Sequence, residues 1–327
     1  MKTPIYAGLL KAFRKLYQEL RKTNLRNSDC IRDPLKASEI IYHKLISDEP
    51  CMIARFGSNE LNVVINYLSI KSKSKSILKY MRNEQFDWWW NDGVIKNLHE
   101  VAGFFPPSVN KVEQFCELML QDIPQVDVLG SWLAKEGIFE KELGSAHKIH
   151  IRLLEPFWAI SPWTKALAGK KVLIVHPFVE VIEQQYHRKD LLFKNSILPD
   201  FELKTIKSVL SLANEDTEFS DWFEALNWMK SEIDKQDYDI CLIGAGAYGL
   251  PLAAHVKRKG KKAVHLGGAL QLLFGIKGKR WEDPNYGVKE WGIPTGSYSN
   301  LMNEHWVRPG DQLKPKNAEK VEGATYW

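Results

Sequence analysis

Tyr238-Asp239-Ile240-Cys241-Leu242-Ile243-Gly244-Ala245-Gly246-Ala247-Tyr248-Gly249 is the stretch on which the fold turns. Its first half runs apolar without alternation, as a strand does when both faces of its sheet are covered. Gly244, Gly246 and Gly249 then break the run, and a helix to about residue 259 follows. Strand, glycine turn and helix form the opening of a βα unit. Downstream, Ala263-Val264-His265-Leu266 is a further strand and 268–274 a short helix. Upstream lie a helix over 218–235 with Trp222, Leu226 and Met229 on one side, and a strand over 201–208. Before these comes the apolar run Val172-Leu173-Ile174-Val175, ended by His176-Pro177-Phe178 and followed by a helix to about 194.

The first half is less regular. Cys51 to Phe56 forms a short buried strand ended by Gly57, between helices over 35–47 and 60–69. Strand-like runs occupy 126–130 and 148–154, and Lys71 to Ser76 is a basic surface loop. Alternating strands and helices of these lengths predict an α/β fold, a Rossmann-like, mostly parallel sheet with helices on both faces. We divide the chain into an N-terminal helix (1–27) and one α/β domain (28–327). The domain has an N-terminal half (28–165), a Rossmann-like C-terminal half (166–275) and closing loops (276–327).

The chain has 327 residues, 44% hydrophobic and 26% charged, which excludes a disordered or fibrous protein. A net charge of +5 suits a phosphate-bearing or membrane partner and is too small to indicate nucleic acid. The four cysteines are widely spaced, without the pairing of a zinc site, and favour a reducing, cytoplasmic setting. No run of 18 apolar residues, the length a bilayer-spanning helix needs, occurs in the sequence. Residues 5–26 place Leu9, Leu10, Phe13, Leu16, Tyr17 and Leu20 at helical spacing among Lys11, Arg14, Lys15, Arg21, Lys22 and Arg26. Such a helix either lies on the inner leaflet of a membrane, making the protein peripheral, or docks on the body with its basic face in solvent.

Gly244-x-Gly246-x-x-Gly249 between a strand and a helix has the setting of a phosphate turn, with Tyr248 inside it. A dinucleotide site adds an acid at the end of the next strand. His265 stands there instead, which disfavours NAD. NADP stays open as an alternative because Lys257, Arg258, Lys259, Lys261 and Lys262 are near in sequence.

Three segments resemble the GT-D-fold glycosyltransferases of bacterial surface-polysaccharide and glycoprotein biosynthesis. Arg55-Phe56-Gly57-Ser58-Asn59-Glu60-Leu61 is similar to that family's Arg-(Phe/Tyr)-Gly-Asp-Gly-Glu segment. The strand Val172–Val175 with its turn is the second. The third runs from Ile240 through Gly244–Gly249 to Ala263-Val264-His265-Leu266-Gly267-Gly268, similar to a segment ending Ile-Asp-Ile-Gly-His. The resemblance implies a hexosyltransferase-like enzyme with a nucleotide-sugar donor, a UDP-sugar by preference, and a glycan or lipid-linked acceptor. It also implies a divalent metal, Mn²⁺ or Mg²⁺, held through an Asp-x-Glu motif. Glu60 matches the Glu, but Ser58 replaces the Asp, and a hydroxyl is a poor ligand for such ions. A scaffold that binds the nucleotide sugar without turnover is the non-enzymatic alternative.

On their own chemistry, Glu60 is a candidate base or metal ligand, or merely an acid favoured at a helix start. Arg55, inside an apolar strand, calls for a ligand phosphate or a buried acid as partner. His176 and His265 end strands at the rim where open sheets bind ligands. The donor-binding candidates are Gly57, Ser58, Asn59, Gly244, Gly246, Tyr248, Gly249, His265, Gly267, Gly268, Lys279 and Arg280. Lys277 and Trp281 would join the last two as a diphosphate clamp, and Trp88-Trp89-Trp90 beside Asp87 and Asp92 is either a sugar-stacking wall or core. Glu180, Glu183 and His187 match metal spacing only superficially and suit a solvated helix face.

Overall fold

The computed structural model describes residues 4–21, 29–212, 215, 217–321 and 323–327. Lys22 and Arg26 of the basic helix and Asn27-Ser28 of the joint after it lie outside the described residues. Seven strands form one all-parallel sheet: β1 (Cys51–Ala54), β2 (Val128–Ser131), β3 (His147–His150), β4 (Lys171–His176), β5 (Glu202–Lys207), β6 (Ile240–Ile243) and β7 (Lys262–His265). Their order is β3-β2-β1-β7-β6-β4-β5. The two halves of the domain thus share a sheet, joined where Cys51, Met52 and Ile53 pair with Lys262, Ala263 and Val264.

Burial follows from the period of two along each strand. Met52, Ala54, Leu173, Val175, Cys241 and Ile243 enter the core on one face. Cys51, Ile53, Val172, Ile174, Ile240 and Leu242 enter the core on the other. The α/β, Rossmann-like architecture is therefore present, with helices on both faces.

The helices that follow the four central strands decide where the site opens. After β1 and β6 the chain turns to the first face, as α3 (Ser58–Lys71) and α9 (Gly249–Arg258). After β4 and β7 it turns to the other, as α7 (Val179–Tyr186) and α10 (Leu270–Leu273). Neighbouring strands thus send their connections to opposite faces. Such divergence leaves a crevice outside the carboxyl ends of the strands.

Several boundaries differ from those expected. The first strand ends at Ala54, so Arg55 lies just past its rim rather than inside it. The run expected over 148–154 gives a strand only over His147–His150, and Ile151–Leu154 turns into a 3₁₀ helix. The helix after His176 stops at Tyr186. The helix α6 (Val109–Asp122) was not foreseen; its buried stripe Val112, Phe115, Cys116 and Met119 has helical spacing.

The basic segment gives helix α1 (Ile5–Arg21). It rests on a short helix, α4 (Ile77–Met81), and on the tryptophan run. Trp89 and Trp90 are buried and Trp88 packs edge-on to Tyr80, so these rings are core and form no sugar wall. Asp87 is tied to Tyr80 and Asn91.

Candidate functional site

A cleft of about 950 Å³ runs along the carboxyl rim of the sheet. Arg55, Gly57, Ser58, Asn59 and Glu60 line it from β1. His176 enters from β4, Gly244, Gly246 and Tyr248 from β6, and His265, Gly267 and Gly268 from β7. The C-terminal loops close over it with Arg280, Trp281, Tyr286 and Tyr326. Residues more than two hundred positions apart therefore share one space.

Gly57 caps α3 in extended backbone, with φ −76° and ψ 141°. The amides of Ser58 and Asn59 precede the first intrahelical bond, from the Leu61 N–H to the Gly57 carbonyl at 2.9 Å. Free amides at a helix start attract an anion. The Glu60 carboxylate folds back over Gly57, where an added Cβ would stand 2.0 Å from Oε2. Burial raises the pKa of Glu60, while Arg55 and the residue's own amide pull it down.

Arg55 lies over the Trp132 ring, 5.4 Å from its centre. Trp132 is itself fixed by a 3.0 Å bond from its Nε1 to the Phe56 carbonyl. Glu136, fully buried, accepts from the amides of Trp132 and Leu133 at 3.1 and 3.0 Å and holds this loop. Among the described residues no carboxylate reaches ion-pairing distance of Arg55.

The two strand-end histidines are buried and neutral. Burial pushes the pKa of each down to about 3, with Arg55 adding to the effect at His265. Their tautomers differ. Nδ1 of His176 accepts the Phe178 N–H at 3.0 Å, so Nε2 carries the proton. Nδ1 of His265 lies 3.4 Å from the Ile243 carbonyl, a weak bond in which the ring donates and Nε2 is left bare.

The glycine turn serves the protein's own packing more than a phosphate. A Cβ on Gly249 would come within 2.1 Å of the His265 ring, and one on Gly244 within 2.6 Å of His176. Gly249 does not line the cleft; it makes room for an imidazole. Gly246, at φ +51°, is the open position. Tyr248 stacks on Trp222 at 4.9 Å and bonds Ser211 at 3.1 Å, a core residue whose edge reaches the wall.

Lys279 is exposed and donates to the Gly323 carbonyl at 3.2 Å, and Lys277 is likewise outside the cleft. The expected clamp reduces to Arg280 and Trp281. Arg280 is held by a 2.5 Å bond from Nε to Thr325 and lies 4.8 Å over Tyr326. Glu180 pairs with Lys207, and Glu183 accepts from Thr205, as a helix face would. The basic run from 257 to 262 lies at the opposite, amino edge, where Lys257 pairs with Asp127 and Arg258 with Asp122. An NADP phosphate in the cleft would not meet it.

The structure adds a group the sequence reading missed. Glu155 lines the far end of the cleft. Its Oε2 accepts from Tyr298 at 2.7 Å and from Trp158 at 2.9 Å. Burial raises its pKa to about 7 against these bonds and nearby Arg152. Arg152 stacks 3.5 Å over Trp158. Among the described residues the cleft's cations are Arg32, Arg55, Arg152 and Arg280, with no lysine. Guanidinium forks match phosphate oxygens in pairs, which an ammonium does not. Trp132 and Arg152 follow strand ends and were within reach of that rule. Tyr298 and Glu155 meet across 143 residues, beyond any local signal.

No family model, curated protein or solved structure matches the chain. The donor set does not suit a divalent ion. Among the described residues no three His, Cys, Asp or Glu side chains gather to hold one. At the Ser58–Glu60 turn the only carboxylate is Glu60, and the charge that acts on it is the Arg55 guanidinium.

Proposed function

We propose that this chain is a cytoplasmic glycosyltransferase of the GT-D type. It would move a sugar from a nucleoside-diphosphate donor, UDP-sugar by preference, to a hydroxyl of an oligosaccharide or lipid-linked acceptor in surface-polysaccharide synthesis. The observation that carries this reading is the meeting of the Arg55–Glu60 turn, the strand-end residues His176 and His265–Gly268, and Arg280 in one cleft.

Sugar transfer needs the departing diphosphate stabilised and the acceptor hydroxyl deprotonated. Arg55 and Arg280 supply fixed positive charge to the diphosphate, and the start of α3 supplies amide donors. His176, neutral with its proton on Nε2, can donate to a donor or acceptor oxygen without bringing charge. Two carboxylates can receive the acceptor's proton. Glu60 stands beside Arg55, close to the leaving group. Glu155 titrates near pH 7, where a base is most effective, and lies with Tyr286 and Trp291 at the end of the cleft that offers rings to a sugar. No step is assigned to a metal ion, because the residues present do not form its site.

A panel of UDP-, GDP- and TDP-sugars tests the reading by calorimetry and by transfer. We expect binding of one nucleotide class and turnover, with transfer falling about 10²–10⁴-fold in whichever of Glu60→Gln and Glu155→Gln removes the base. In wild type the rate rises with pH through about 7 if Glu155 is the base, since it acts only when deprotonated, and Glu155→Gln loses that rise. No binding by any donor removes the proposal. Binding without turnover favours the scaffold alternative.

A further inference from the structure

Helix α1 carries its large apolar side chains on the wrong side for a docked helix. The face turned to the body holds Ala7, Leu10, Lys11, Arg14 and Gln18. Ala7 is fully buried against Tyr80 and Trp89. Arg14 donates from Nε to Asn83 at 3.0 Å and lies 4.5 Å over Tyr80, Gln18 reaches Asn83 at 2.7 Å, and Lys11 pairs with Asp87 at 3.4 Å. The docking is therefore mostly polar. At 100° per residue, Ile5, Leu9, Phe13, Leu16 and Leu20 fall on the opposite side. All five are half exposed or more, Leu20 to 76% and Ile5 completely.

The surroundings of this stripe are cationic. Lys15 on α1, and Lys73, Lys75 and Lys79 in and before α4, are exposed, and none pairs with a carboxylate among the described residues. On α1 the only acid is Glu19. Helix α4 adds two further exposed apolar chains, Ile77 at 55% and Leu78 at 68%. No described helix is long and apolar enough to cross a membrane.

We infer that the outer face of α1, with the adjoining 73–79 segment, seats the protein on an anionic lipid surface. The five apolar chains would enter the boundary between headgroups and acyl chains, and the lysines would face the lipid phosphates. A second copy of this chain is the poorer occupant, since pairing two such faces sets one cationic rim against another. The inference rests on α1 and not on the activity proposed for the cleft, so either can fail alone.

The test is co-sedimentation of the full chain with vesicles of phosphatidylcholine alone and of phosphatidylcholine with about one third phosphatidylglycerol. Binding is expected to the anionic vesicles and not to the neutral ones, and to weaken at high salt. The triple variant Leu9→Ser, Phe13→Ser, Leu16→Ser should bind at least tenfold more weakly with an unchanged unfolding midpoint, since all three side chains are already in solvent. Charge reversal at Lys73, Lys75 and Lys79 should weaken binding without touching α1. Absence of wild-type binding, or equal binding by the triple variant, overturns the inference. So does concentration-dependent self-association in sedimentation velocity that the triple variant abolishes while vesicles have no effect, because the stripe is then an interface between copies.

Discussion

At the amino edge of the sheet Arg258 meets Asp122, Lys257 meets Asp127 at 2.7 Å, Lys259 meets Asp234 at 2.9 Å, and Lys171 meets Asp237. At the carboxyl edge Arg55 lies on the Trp132 ring, and no carboxylate pairs with it among the described residues. One edge has spent its cations on the fold. The other keeps a guanidinium against an aromatic face, where an incoming anion gains its full attraction. A charge left in that state costs the folded protein something, and a ligand recovers it.

Exchanging the residues that make this contrast should break it. Arg55→Ala should have the largest effect. We expect kcat/KM for transfer to fall about 10²–10³-fold, the range for a preorganised charge donor, with nucleotide affinity reduced as well. The unfolding midpoint should move only modestly, because Arg55 eases the charge of Glu60 and Glu136 from beyond ion-pairing distance and no direct ion pair is broken. A large loss of stability with normal nucleotide affinity would make Arg55 a structural residue like those of the other edge.

Arg258→Ala should do the reverse. Asp122 is fully buried, and one of its oxygens already lacks a partner. Removing the guanidinium should cost about 3 kcal/mol or more in denaturant unfolding near neutral pH, and leave nucleotide binding unchanged. The loss depends on pH. Burial pushes Asp122 up to about 6, above the ordinary carboxyl value, so its contribution to folding is complete below about pH 4 and is lost as pH rises through about 6. Unfolding at about pH 4.5 and pH 7 should therefore show a smaller deficit in acid. Lys171→Ala sharpens the comparison at its small end. That pair is largely exposed, and its removal should leave the midpoint within the scatter of the measurement.

What could be read from the sequence follows a physical division. The apolar runs 172–175 and 240–243 announce central strands because both of their faces must be covered, and Gly57 and Gly244 mark the strand ends where a cleft forms. That is enough to bring Arg55–Glu60 and His265–Gly268 to the same rim. The roles of the glycines were not legible. Gly249 reads as a phosphate glycine, yet it exists for the His265 ring, which arrives from the next strand. Trp88–Trp90 could be read as a wall for sugars or as core, and they are core; rings that do line the cleft include Trp132, at the end of β2, and Trp281, Tyr286, Trp291 and Tyr326, from the last stretch without clear periodicity.

By itself the sequence determined the layers, the parallel sheet and the strand ends, because those follow from periodicity and from backbone limits that act over a few residues. Only the tertiary structure decided that Glu155 is gripped by Tyr298 and Trp158, that Arg55 rests on Trp132 without a carboxylate partner, and that α1 shows its apolar side to solvent. Each of these depends on which distant surfaces meet. The cost of desolvating a carboxyl, and the choice of which helix face is covered, are set by neighbours that no local pattern names.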